Sequence, residues 1–219
     1  MQGPEAWHAR VLRALEAASG WSKSRKQSRQ GGMCLLVGLT QNFGQVRLGA
    51  ATMRMPESTT LLLSYTRCMC LWMKFTTTQA ARYEVEEGMP EHGDDNLPGH
   101  TWRFVSVLGS FKGRQLWVQN HGLLAGTGTA VFDGARHHSV HPIQAGVRFS
   151  IVTYAKHFWR TPAAAEGGEH LDRLGFPLPP RQVQEQALPG FDSIVSRASV
   201  TQKLALSLSW RDGISKGGF

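Results

Sequence analysis

The alternation of apolar and polar residues divides the chain into short helices and many short strands. Residues 5–18 place Trp7, Val11, Leu15 and Ala18 on one helical face and predict an amphipathic helix. The polar, basic stretch "SKSRKQSRQGG" follows and reads as a linker. Two short strands around a turn at Gln41–Gly44 are expected within "MCLLVGLTQNFGQVRLGAAT". Pro56 and Glu57 then open a helix expected over 56–73. Strand patterns recur at 78–85, 101–108, 114–119, 128–133 and 146–154, punctuated by glycine and proline. Close spacing of this kind predicts a mainly β fold with flanking helices, a sandwich or jelly roll. Beyond residue 160 the pattern weakens to one short helix and a proline-rich stretch. The predicted organisation is an N-terminal helix and basic linker over 1–32, a β domain over 33–160, and a C-terminal extension of unassigned order over 161–219.

Composition narrows the class. A chain of 219 residues with 41% hydrophobic content, ten Phe and seven Trp suffices for one domain with a sizeable core. Three cysteines, at 34, 68 and 70, do not make a disulfide framework. No apolar run reaches the roughly 18 residues of a membrane span, and the N-terminus shows no apolar segment of a secretory signal. The expectation is an intracellular protein, cytoplasmic or nuclear. The net charge of +8 permits contact with nucleic acid. That charge is uneven. Residues 1–30 hold six Lys/Arg against Glu5 and Glu16, whereas residues 84–95 hold six carboxylates and no Lys or Arg.

The acidic stretch contains the first candidate chemistry. In "MPEHGDDNLPGH", His92 and Asp94 stand two apart, which on a strand gives them one face. An imidazole and a carboxylate on one face can be two ligands of a metal. The remaining glutamates here, Glu84, Glu86, Glu87 and Glu91, suit either a solvated edge or a rim that selects a cationic substrate. A second candidate lies in "FDGARHHSVHPIQAGVRFSIVTY", where His138 precedes Arg148 by ten residues. His137 and His141 are alternatives for the second imidazole. Arg148 lies in an apolar strand pattern and must find an anion or reach solvent. Ser150 shares its face, so a guanidinium and a hydroxyl stand ready for a carboxylate.

In order and spacing, His-x-Asp, a distal His and Arg-x-Ser resemble the iron(II)/2-oxoglutarate-dependent dioxygenases. The resemblance covers about residues 37–155 and includes "GLTQNFGQVRLGAAT", "PEHGDDNLPG" and "VLGSFKGRQLWV" besides the segment above. It implies a double-stranded β-helix, with His92, Asp94 and His138 as iron(II) ligands. It further implies that Arg148 binds 2-oxoglutarate with Ser150 assisting; Tyr83, on the strand before the ligands, is either a donor to the same co-substrate or a core residue. Dioxygen would be the other co-substrate, with succinate and carbon dioxide released as an unidentified substrate is hydroxylated. Two departures stand out: Glu91 separates Pro90 from His92, and Gly113-Arg114 replaces a usual glycine pair. They keep open an alternative, a catalytically inactive jelly-roll module that holds nucleic acid through its basic surface. A zinc hydrolase would use the three ligands but has no need of Arg148 and Ser150.

Overall fold

Period-two alternation gives most of the chain to strands, and helices cover one side of them. The computed structural model describes residues 4–23, 32–113, 116–123 and 127–182. Most of the basic linker and residues 183–219 lie outside these described residues. In chain order the elements are α1 (Pro4–Ala17), β1 (Met33–Asn42), β2 (Gln45–Leu48), α2 (Ala50–Arg54), α3 (Pro56–Met69), β3 (Thr77–Tyr83), β4 (Met89–His92), β5 (Trp102–Leu108), β6 (Phe111–Gly113), β7 (Leu116–Val118), β8 (Gly122–Leu123), β9 (Gly128–Asp133), β10 (His138–Val140), β11 (Ile143–Gly146), β12 (Arg148–Tyr154) and, after two 3-10 turns, α4 (Ala165–Arg173).

The strand order is that of a jelly roll. One sheet runs β2-β1-β3-β12-β5-β9, and a smaller one runs β4-β10-β7-β8. From β3 onward the chain passes back and forth between the two sheets, and the first and last strands of that passage, β3 and β12, lie side by side. This is the topology of a double-stranded β-helix. β11 and β6 form a further pair. They extend the pairing of β10 with β7 past Pro142, which cannot donate to a ladder.

Register divides the large sheet into two faces. Phe149 and Ile151 of β12, Ala80 of β3, Phe104 and Leu108 of β5, and Leu35 and Val37 of β1 join one buried cluster with Val11 and Leu15 of α1 and Leu62 of α3. Polar groups on this side are paired: Tyr65 hydrogen-bonds Ser106, and Thr78 lies 3.1 Å from Thr153. The opposite face carries Tyr83, Arg148, Ser150, Tyr154, Arg103, Val105, Val107 and Phe132, which are register partners or alternate along their strands.

Three local expectations differ in outcome from the pattern. The helix expected over 56–73 ends at Met69, because the chain must turn to bury Met73 and Phe75 and enter β3. The stretch expected as two strands around a turn forms them as β1 and β2, and only its end, past Gly49, turns into α2. A Cβ at that glycine would come within 2.3 Å of the Leu36 carbonyl, so only glycine allows the approach. Residues 161–182, part of the extension without an assigned order, hold α4 and a strap fixed by long-range bonds. Phe75 N donates to the Pro177 carbonyl at 3.0 Å, and the buried Trp159 indole donates to Pro179 at 2.9 Å.

Candidate metal centre

His92 ends β4 and His138 begins β10, and the two stand opposite each other in an antiparallel pair. Cross-strand neighbours of this kind bring their side chains together, and the imidazole centroids are 4.4 Å apart. Each ring is tethered through Nδ1, that of His92 at 2.8 Å from the Pro90 carbonyl and that of His138 at 2.8 Å from the Arg136 carbonyl. A carbonyl only accepts, so both Nδ1 atoms carry the hydrogen and both Nε2 atoms are presented to the centre. Asp94 meets them there, with Oδ2 at 3.1 Å from His138 Nε2 and Oδ1 at 3.9 Å from His92 Nε2. One ligand atom from each residue lies within 4.8 Å of the others. Two imidazole nitrogens and a carboxylate are the donor set of a divalent first-row metal with open positions left over.

Asp94 does not reach this position by strand alternation with His92, because β4 has ended. The loop is anchored instead, with Asp94 N donating to the Gly134 carbonyl at 3.1 Å. Burial would push its carboxyl up. In the metal-free protein the hydrogen bond donated by Nε2 of a protonated His138, and the charges of Arg103 and of the protonated His138 and His92, outweigh that and hold it at about 2. Asp94 is therefore anionic at neutral pH and offsets part of a dication's charge.

Arg103 is the residue that pattern reading passes over. It lies inside the apolar run of β5, is 8% exposed, and places Nη2 2.5 Å from Asp94 Oδ2. The same Nη2 donates to Asn96 Oδ1 at 3.1 Å, and the guanidinium lies 4.3 Å from the Tyr154 ring centre. The rule that singles out Arg148, an arginine inside an apolar strand, is the signal that finds Arg103 too. Phe132 packs against His138 in an edge-to-face arrangement, with ring centres 5.1 Å apart.

Arg148 and Ser150 lie on the inner face that also bears Arg103 and Phe132. Arg148 is 1% exposed. Its Nε donates to Ser150 Oγ at 3.1 Å, while its buried Nη1 has no hydrogen-bond partner among the described residues. Burial lowers its pKa, and Tyr83 acts in the other direction. Tyr83 stands opposite Arg148 in register, and its ring centre is 6.0 Å from the guanidinium, with Phe111 at 5.7 Å.

The other candidates lie elsewhere. His137 points outward and bonds Glu91 at 3.0 Å, with both side chains more than half exposed. His141 is outside the cluster. Glu84 pairs with Arg82 at 2.8 Å, and Glu87 accepts from the Glu84 amide at 2.8 Å, an exposed turn closed on itself. Among the described residues no helix is long and apolar enough to cross a membrane.

No family model matches the chain, and no curated protein matches it. Among solved structures it is similar to a 2OG-Fe(II) oxygenase family oxidoreductase from Burkholderia pseudomallei, at 20% identity over 67% of this chain and 76% of that one, with a TM-score of 0.49. It is also similar to a prolyl-4-hydroxylase from Pseudomonas putida, at 14% identity over 70% and 88%, TM-score 0.43. A Trichoplax adhaerens prolyl hydroxylase, solved with a hypoxia inducible factor peptide, matches at 16% identity over 69% and 77%, TM-score 0.43. The jelly-roll assignment rests on the strand order of the chain itself, and the His92, Asp94 and His138 cluster rests on its own geometry.

Proposed function

We propose that this chain is an iron(II)- and 2-oxoglutarate-dependent dioxygenase. Arg148 carries the reading. Three metal ligands alone suit several chemistries, but a buried guanidinium whose Nη1 has no partner among the described residues, beside a serine hydroxyl, suits a carboxylate. Leaving a buried donor unmade costs about 1–3 kcal/mol, and a charged one more, so a ligand that supplies the missing acceptor is strongly favoured. 2-Oxoglutarate is such a ligand, and it also brings groups that bind a metal.

The residues fit the iron as well. His92 and His138 would hold it through Nε2, because their Nδ1 hydrogens are committed to Pro90 and Arg136. Asp94 would hold it as an anion. Bound iron(II), with 2-oxoglutarate and dioxygen, supplies C–H hydroxylation with succinate and carbon dioxide as co-products. The protein's part is to bind and to orient. Arg148 and Ser150 grip the far carboxylate, Tyr83 lies beside that grip, and Phe132 shields the His138 side from water.

The test is succinate formation by the purified full chain given iron(II), 2-oxoglutarate and dioxygen. Wild type is expected to release succinate slowly without a primary substrate, and His138→Ala is expected to match the protein-free control. Folded wild type that releases none contradicts the reading and leaves the non-catalytic jelly-roll module in its place.

A further inference from the structure

The three ligands of the metal centre are held by unequal means. His92 and His138 are set by strand register and by a carbonyl on each ring. Asp94 sits on a loop, past the end of β4, and a carboxylate on a loop turns freely unless something grips it. Arg103 supplies such a grip beside His138. Arg103 approaches Asp94 Oδ2 at 2.5 Å and is itself fixed on two further sides, by Asn96 Oδ1 at 3.1 Å and by the Tyr154 ring at 4.3 Å. Asn96 is buried too, and its Nδ2 donates to the Thr101 carbonyl at 3.4 Å. Gly134 makes room for this group. A Cβ there would lie 2.4 Å from Arg103 Nε and 2.6 Å from Asn96 Nδ2, and the Gly134 carbonyl is the acceptor that anchors the Asp94 amide. Loop, turn and strand thus meet at one guanidinium.

We propose that Arg103 is a positioning residue of the metal centre, holding Asp94 by one oxygen and held in turn by Asn96, so that the carboxylate meets a dication already oriented. The proposal rests on the iron-site reading above and adds what sets the aspartate. Groups that orient a metal ligand in this way typically change metal affinity 10–100-fold when removed. A positive charge near a dication also repels it, so the sign of the effect separates positioning from mere proximity.

The experiment uses cobalt(II) as probe on the full chain, reading affinity by titration calorimetry and ligand geometry by the visible d–d absorption. Arg103→Gln is expected to weaken cobalt(II) binding about 10–100-fold and to change the d–d spectrum. Asn96→Ala is expected to weaken it less, in the same direction. Because Asn96 acts through Arg103, the double variant binds no more weakly than Arg103→Gln alone. Arg103→Lys, which keeps a donor for Asp94, recovers part of the loss. Cobalt(II) binding in folded Arg103→Gln that equals or exceeds wild type overturns the proposal. If that variant does not fold, unchanged affinity in both Asn96→Ala and Arg103→Lys overturns it. Wild type that fails to bind cobalt(II) at a site sensitive to His138→Ala overturns the metal-centre reading as well, whereas wild-type binding matched by the variants removes Arg103 alone.

Discussion

The two faces of the large sheet come from alternate residues of the same strands. In β12, Phe149 and Ile151 point toward the helices and enter the main apolar cluster, while Arg148 and Ser150 point between the sheets. In β5, Phe104 enters that cluster, and its neighbour Arg103 bonds Asp94. The helix side closes on itself: its aromatic and aliphatic groups fill space, the Tyr65 hydroxyl pairs with that of Ser106, and the Thr78 hydroxyl pairs with that of Thr153. The inner side leaves a buried donor on Arg148 without an acceptor among the described residues and turns two imidazole nitrogens toward one carboxylate. One face gives the fold its stability, and the other carries uncompensated groups that a ligand would complete. Substitutions one residue apart should therefore act in opposite directions.

The largest effect is expected on the helix side. Phe149→Ala should cost about 3–5 kcal/mol, measured as a lower denaturant midpoint. Arg148→Met should do the reverse, because it removes a buried charge with an unmade hydrogen bond. A gain of about 1–3 kcal/mol is expected, seen as a higher Tm in the ligand-free protein together with loss of 2-oxoglutarate binding. A lower Tm in Arg148→Met would mean that the arginine supports the fold rather than a ligand.

Acid titration gives an effect of similar size. The Asp94 carboxyl is held at about 2, below its ordinary value of 3.8. A depressed carboxyl stabilises the fold above its unfolded pKa, and that contribution is lost as pH falls through the folded one. Metal-free protein should lose on the order of 2 kcal/mol from this residue between about pH 4 and pH 2, and Asp94→Asn should flatten that part of the profile of urea midpoint against pH. The smallest effect belongs to the outward neighbour of a proposed ligand. His137→Ala breaks an exposed pair with Glu91, and such pairs contribute about 0–1 kcal/mol. It should leave both stability and metal affinity nearly unchanged, in contrast to His138→Ala.

Much of this division was legible in the sequence. Alternation along "VRFSIVTY" put Arg148 and Ser150 on one face and Phe149 and Ile151 on the other before any fold was known. His92, Asp94 and His138 stood out by residue type and spacing. Residues set by distant partners were not legible. His138 rather than His137 or His141 joins His92 because β10 and β4 pair in one particular register, and no local pattern states that register. Asp94 depends on a loop anchored to Gly134, forty residues on. Arg103 was hidden by its apolar neighbours, which identify a strand but not the anion beside it. The strap after α4 has no strong period, since its order comes from single bonds to Phe75 and Trp159.

The visible spectrum of the full chain loaded with iron(II) and 2-oxoglutarate in the absence of oxygen bears most directly on whether Arg148 and the three proposed ligands serve one site. A weak charge-transfer band is expected in wild type and is expected to vanish in both His138→Ala and Arg148→Met. A folded wild type without the band, or a band that survives Arg148→Met, would contradict the pairing of a ferrous ion with a keto-acid between these two sheets.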